Sequence, residues 1–126
     1  MKAATALLTN YRRPANLNAV IAALRRQTVD IEIFLWDNSG RRDKFDADLT
    51  IQSNRNLHCN PRWMMAQFAS SPYVFTHDDD LKLRDNRAIQ NCIEYATDRD
   101  CAIGKEGVVT SARRYESMSH LQCVSH

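Results

Sequence analysis

The sequence predicts an α/β fold, an open and mostly parallel sheet with flanking helices, on three observations. Short apolar runs stop repeatedly at polar turn residues, helical periodicity fills the gaps between them, and the two patterns alternate over most of the chain. Its 126 residues suffice for one hydrophobic core and are too few for two ordinary domains, so a single domain over residues 1–126 is expected.

Ala3 to Thr9 is the first apolar run, and it stops at the turn-forming Asn10. Ile31 to Trp36 is the second, broken only by Glu32, and it ends at Asp37-Asn38-Ser39-Gly40. Both read as strands buried on two faces. Between them Leu17, Val20, Ile21 and Leu24 recur at the spacing of one helix face. Pro14 suits the first helical turn, and Arg25-Arg26 stand near the negative end, so the three elements form a βαβ unit with a right-handed crossover. Leu49 to Ser53 alternates apolar with polar as a third strand, and Asn60-Pro61 reads as the cap and first residue of a helix carrying Trp63, Met64 and Phe68. Pro72 to Thr76 is a fourth strand, which delivers His77 and three aspartates at its end. Asp85 is placed to cap a helix whose apolar face is Ile89, Cys92, Ile93 and Ala96. Beyond Asp100 strand-like residues surround Gly104 and Gly107, at Cys101 to Ile103 and Val108-Val109, and Thr110 to His126 shows no sustained period.

The bulk composition excludes several classes. Seventeen basic and 15 acidic residues are spread along the chain, and the arginines come in pairs such as Arg12-Arg13 and Arg41-Arg42, so no stripe suited to nucleic acid is built. The cysteines at 59, 92, 101 and 123 lack zinc-module spacing and read as free, mostly buried thiols of a reducing compartment. No stretch has the length of a membrane span, and Ala3 to Leu8 is too short for a signal-peptide core, which makes a cytoplasmic location the expectation.

Ligands of open α/β sheets bind beyond the carboxyl ends of the strands, and there the sequence concentrates its polar side chains. The clusters are Thr9, Asn10, Tyr11 and Arg13, then Asp37, Asn38 and Ser39, then His77 to Asp80. Three adjacent carboxylates repel one another and ask for a compensating cation, and their hard oxygens suit Mg2+ or Mn2+. The plain alternative is that the aspartates cap the next helix or solvate a loop.

Thr9-Asn10-Tyr11-Arg12-Arg13-Pro14 before an amphipathic helix, a strand closing on Trp36-Asp37-Asn38-Ser39, and Tyr73-Val74-Phe75-Thr76-His77-Asp78-Asp79-Asp80-Leu81 together resemble the nucleotide-binding half of glycosyltransferases of the GT-A type, a Rossmann-like fold. The order is shared by family-2-like and exostosin-like enzymes. Asn56 to Trp63 ahead of the aspartate triplet is more similar to the exostosin-like pattern, and it lacks the glycine usual in family-2-like enzymes. The resemblance covers Ala3 to about Asn86.

It implies a metal-dependent transferase, or its donor-binding part, that takes a UDP-sugar. Thr9 to Arg13 would lie along the nucleoside, with Arg13 near base or diphosphate, and Asp37 or Asn38 would meet the uracil or ribose. Arg62 would sit near base or phosphate, Asp78 near the ribose with Asp79 beside it, and Asp80, with Asp78, would hold the metal. Tyr11 could equally pack, and Arg62 could equally be a surface helix residue. The acceptor, whether saccharide, lipid or protein, is not legible. No catalytic base stands in a recognisable motif, although Glu106, Glu116 and His120 are available in the tail. Family members are usually longer, so the tail is expected to be too short to enclose an acceptor. A minimal enzyme, donor binding without transfer, or completion by a partner such as a second copy in a homo-oligomer all remain open. A non-catalytic nucleotide-binding domain is the first rival. The second is a haloacid-dehalogenase-like phosphatase, whose aspartate motif normally follows the first strand and continues with a small residue, where this chain has Leu81-Lys82-Leu83.

Overall fold

The computed structural model describes residues 1–104, 106–109 and 119–122. The chain divides into two compact units, Met1–Ile93 and Glu94–His126.

The first unit is built on a four-stranded, all-parallel sheet. Its strands are β1 (Ala4–Asn10), β2 (Ile31–Asp37), β3 (Leu49–Gln52) and β4 (Val74–Thr76), in the order β3-β2-β1-β4. Apolar runs that skip the usual alternation belong in a sheet covered on both faces, and this sheet is. On one face Ala4, Ala6, Leu8, Ile31, Ile33 and Leu35 pack with Leu17, Val20, Ile21 and Leu24 of helix α1 (Pro14–Arg25). Those four helical positions, each buried, contribute about 1.5–3 kcal/mol apiece by leaving water, and they fix which face of α1 turns inward. On the other face Leu7 and Phe34 pack with Met65 of a 3₁₀ helix, Asn60–Phe68.

That 3₁₀ helix refines the sequence reading. The helix carries Trp63, Met64 and Phe68 as expected, but as a 3₁₀ helix, and all three are exposed while Arg62 and Met65 turn inward. Three residues per turn stack positions 62 and 65 on one side. The fourth strand starts at Val74 rather than Pro72, because proline has no N–H to donate to a ladder, although the Tyr73 carbonyl still accepts from Thr5 N–H at 2.8 Å.

Helix α2 (Ala88–Arg99) follows, with Ile89 buried against the first core and Ile93 packed beside it. Asp85 does not cap it: its Oδ1 accepts the N–H of Arg87 at 2.8 Å, closing a turn ahead of the helix. The cap comes from Gln27, whose Oε1 accepts the Ile89 N–H at 3.1 Å and whose Nε2 donates to the Asp85 carbonyl at 2.9 Å. The cysteines also differ from expectation, since Cys59, Cys92 and Cys101 are all exposed. Neighbouring atoms still desolvate the Cys92 sulfur enough to push its pKa up. Cys123 lies outside the described residues.

In the second unit β5 (Glu106–Val109) pairs antiparallel with β6 (Ser119–Gln122), with Val108 opposite His120. Val108 and Val109 were expected in a strand, Cys101 to Ile103 are in none, and β6 falls where no period is visible. Glu116 lies outside the described residues.

Candidate functional site

The chain builds outward from β1 to β2 and β3, then returns to the opposite side of β1 to lay down β4. The connection after β1 runs to β2 on one side, whereas β4 is reached from β3 and lies on the other, so the strand order reverses at β1 and the boundary of β1 and β4 is where sheets of this kind form a crevice. The loop after β1, residues 11–13, and the loop after β4, residues 77–83, flank it. A groove of about 370 Å³ runs beside it between α1 and the second loop, with Asn16, Val20, His77, Asp79, Asp80 and Lys82 among its lining residues.

Side chains 66 residues apart meet across this crevice. Arg13 grips Asp79 with two hydrogen bonds, Nη2 to Oδ1 at 2.6 Å and Nε to Oδ2 at 3.1 Å, and its Nη1 lies 3.7 Å from Asp80 Oδ2. Arg62 reaches Asp78 from the 3₁₀ helix, Nη1 to Oδ1 at 2.6 Å. Two guanidinium groups thus supply much of the positive charge that three adjacent carboxylates demand. Arg62 is 9% exposed, a buried cation and not the surface helix residue that was one of its two readings.

Asn10 and Asp37 stand opposite each other in the ladder, both 0% exposed, with Asn10 Nδ2 donating to Asp37 Oδ1 at 2.9 Å. The same oxygen accepts the Ser39 N–H at 2.9 Å. Asn38 is buried too, but its amide is engaged with the protein: Oδ1 accepts from Ser53 Oγ and Leu57 N–H, and Nδ2 donates to the His58 carbonyl at 2.7 Å. It pins the loop in which His58 holds a positive φ of 62°. Tyr11 lies partly exposed at the crevice mouth, with the Arg12 guanidinium over its ring at 4.9 Å.

Among the described residues, the buried side-chain polar atoms without a hydrogen-bond partner are Thr9 Oγ1, Asn10 Oδ1, Trp36 Nε1, Asp37 Oδ2 and Arg62 Nε. Four of the five belong to the last two residues of β1 and β2, and the fifth is on the arginine that holds Asp78. Buried polar atoms are rarely orphaned, and these collect at the carboxyl end of the sheet, those of Asn10 and Asp37 on the α1 face and those of Thr9 and Trp36 on the face of the 3₁₀ helix. Trp36 was not singled out from the sequence. The sequence carried no signal for it, because its position opposite Thr9 is set by the strand register, which only the structure gives.

His77 is 9% exposed. Its Nδ1 lies 2.8 Å from the Asp78 carbonyl, which can only accept, so the proton sits on Nδ1 and Nε2 carries the lone pair. Burial, only partly offset by Asp78, lowers its pKa below the usual 6.5.

Among the described residues no three Asp, Glu, His or Cys side chains converge as a ready-made metal group. Asp79 is turned to Arg13, and one oxygen of Asp78 to Arg62, which leaves the other Asp78 oxygen and the Asp80 carboxylate, 57% exposed at its side chain, as hard donors. Such a set fits a cation whose remaining ligands come from phosphate, not one caged by protein alone. No helix among the described residues is long and apolar enough to cross a membrane. No protein-family model matches the sequence, and no curated protein is significantly similar to it.

Proposed function

We propose that the chain binds a nucleotide-activated sugar at the crevice between β1 and β4, as a metal-dependent glycosyltransferase of the GT-A type or as its donor-binding part. The observation that carries this reading is the set of orphaned polar atoms at the carboxyl ends of β1 and β2, Asn10 and Asp37 on one face and Thr9 and Trp36 on the other, beside an arginine–aspartate cluster at the switch point of a parallel sheet. The orphaned atoms are both donors and acceptors, as a base and ribose require, and the arginines suit a diphosphate. Tyr11 at the mouth offers an aromatic face to the nucleoside.

In this reading Asp80, with Asp78, holds Mn2+ or Mg2+, which when bound stabilises negative charge on the departing diphosphate. Arg13 and Arg62 supply the protein's own share of that stabilisation. Asn38 serves by fixing the loop at residues 53–58 and leaves the polar contacts to its neighbours. The position of the aspartates after β4 rather than β1 speaks against a dehalogenase-like phosphatase.

Titration calorimetry with UDP, GDP and ADP, each with Mn2+ and with EDTA, tests the reading. UDP should bind most tightly and lose affinity in EDTA. Equal binding of all three would mean that only the diphosphate is read, and unchanged affinity in EDTA would remove the metal. A chain that binds UDP but neither hydrolyses nor transfers from a UDP-sugar is the non-catalytic alternative.

A further inference from the structure

We infer that the two arginine–aspartate pairs are a charge-exchange latch, so that the divalent cation and the nucleoside diphosphate bind strongly only together. The inference rests on the donor-site reading above.

Arg62 is the critical member. It is 9% exposed, its Nε has no partner among the described residues, and the ion pair found for its guanidinium runs to Asp78 at 2.6 Å. A bare cation competing for Asp78 would have to displace that guanidinium and leave a buried positive charge unpaired, which is strongly unfavourable. A diphosphate arriving alone would find the guanidinium groups of Arg13 and Arg62 already turned to carboxylates, and Asp80 close by would repel it. When both arrive, the cation takes the carboxylates and the phosphate oxygens take the guanidinium groups, so each released charge finds a new partner. The same atoms thus serve as lock in the free protein and as ligands in the bound one. By linkage the coupling is reciprocal: whatever factor the cation adds to diphosphate affinity, the diphosphate adds to cation affinity.

The test measures Mn2+ binding by the electron paramagnetic resonance signal of the free ion, and UDP binding by calorimetry, each in the absence and presence of the other. The stronger binding of Mn2+ to free UDP is subtracted through a protein-free control. UDP should tighten Mn2+ binding by about tenfold or more, and Mn2+ should tighten UDP by the same factor. Arg62→Met should bring Mn2+ binding without UDP up and the coupling factor down towards one. Arg13→Gln, on a half-exposed side chain whose loss leaves the core untouched, should lower the coupling as well, and it serves if the first variant does not fold. Wild-type protein that binds Mn2+ equally with and without UDP overturns the latch while leaving the donor site standing. Absence of UDP binding under every condition overturns both.

Discussion

Replacing Arg62 by methionine should leave the free protein as stable as before or more so, while weakening its hold on a diphosphate. The ion pair to Asp78 is short, but the Asp78 side chain is 54% exposed and water competes for it, so the pair contributes on the order of 1 kcal/mol. Against that stands a buried Nε–H without an acceptor among the described residues, which costs about 1–3 kcal/mol. Methionine is unbranched, of comparable length, and fills irregular space without a polar atom. The difference lies between roughly zero and 2 kcal/mol in favour of the variant, or a melting midpoint unchanged to about 8 °C higher for a chain of this size. Loss of a charged contact to phosphate should meanwhile weaken UDP binding by about ten- to a hundredfold. Thermal unfolding followed by circular dichroism, without ligand, reads the first effect and calorimetry the second. A midpoint lowered by more than about 5 °C would show that Arg62 holds the fold together and is not waiting for an anion.

Asp80→Asn should abolish the Mn2+ dependence of UDP binding, and Asp79→Asn should change it less because Arg13 already occupies that carboxylate; the opposite ranking in calorimetry would move the metal to Asp79. Burial keeps His77 neutral in the folded chain, whereas the unfolded chain takes up a proton below 6.5, so stability should fall as the pH drops through 6.5 and level off at the lower folded pKa. Urea midpoints at about pH 7.5 and about pH 5.5 should converge in His77→Gln relative to wild type, and an unchanged gap assigns the acid sensitivity elsewhere. Asn38→Leu strands the Leu57 N–H and the His58 carbonyl in a partly exposed loop, for a loss of about 2–3 kcal/mol in urea unfolding. A cost under about 0.5 kcal/mol would mean that water replaces the amide freely. Thiol labelling should reach Cys59 faster than Cys92, whose raised pKa leaves less thiolate, and equal rates would contradict that ordering.

What the sequence could disclose was set by how local the signal was. The strands at Ala4–Asn10 and Ile31–Asp37 and the helix between them carry their own periodicity and stop signals, and the polar clusters at their ends follow directly from where they stop. The helical segment at Asn60–Phe68 was legible, but its 3₁₀ repeat and its buried face were not, since that face includes an arginine, which no apolar pattern reveals. The cap of α2 was invisible for a different reason, as Gln27 lies 62 positions from the amide it serves. In the site the same distance effect separates residue types from pairings. The three aspartates could be seen to need a cation, but that Arg13 and Arg62 answer that need in the free protein follows only from the strand order, which brings β4 back beside β1. Burial of Asn10 and Asp37 was likewise hidden, since both types are ordinarily exposed and mark turns.

β4 meets β1 over only three residue pairs and, among the described residues, has no strand on its outer side, whereas β1 is paired on both. Short outer strands open by local unfolding far more often than central ones, so the amides of Val74–Thr76 should exchange with solvent hydrogen well before those of Ala4–Asn10. The aspartates are carried on that loosely held margin. A molecule that bridges the loop after β1 to the loop after β4 would act as an external clasp on the sheet, drawing the margin's opening equilibrium towards closed in proportion to its own affinity. Occupancy of the crevice could then be followed without any probe on the ligand, as slowed exchange at Val74–Thr76, just upstream of the carboxylates.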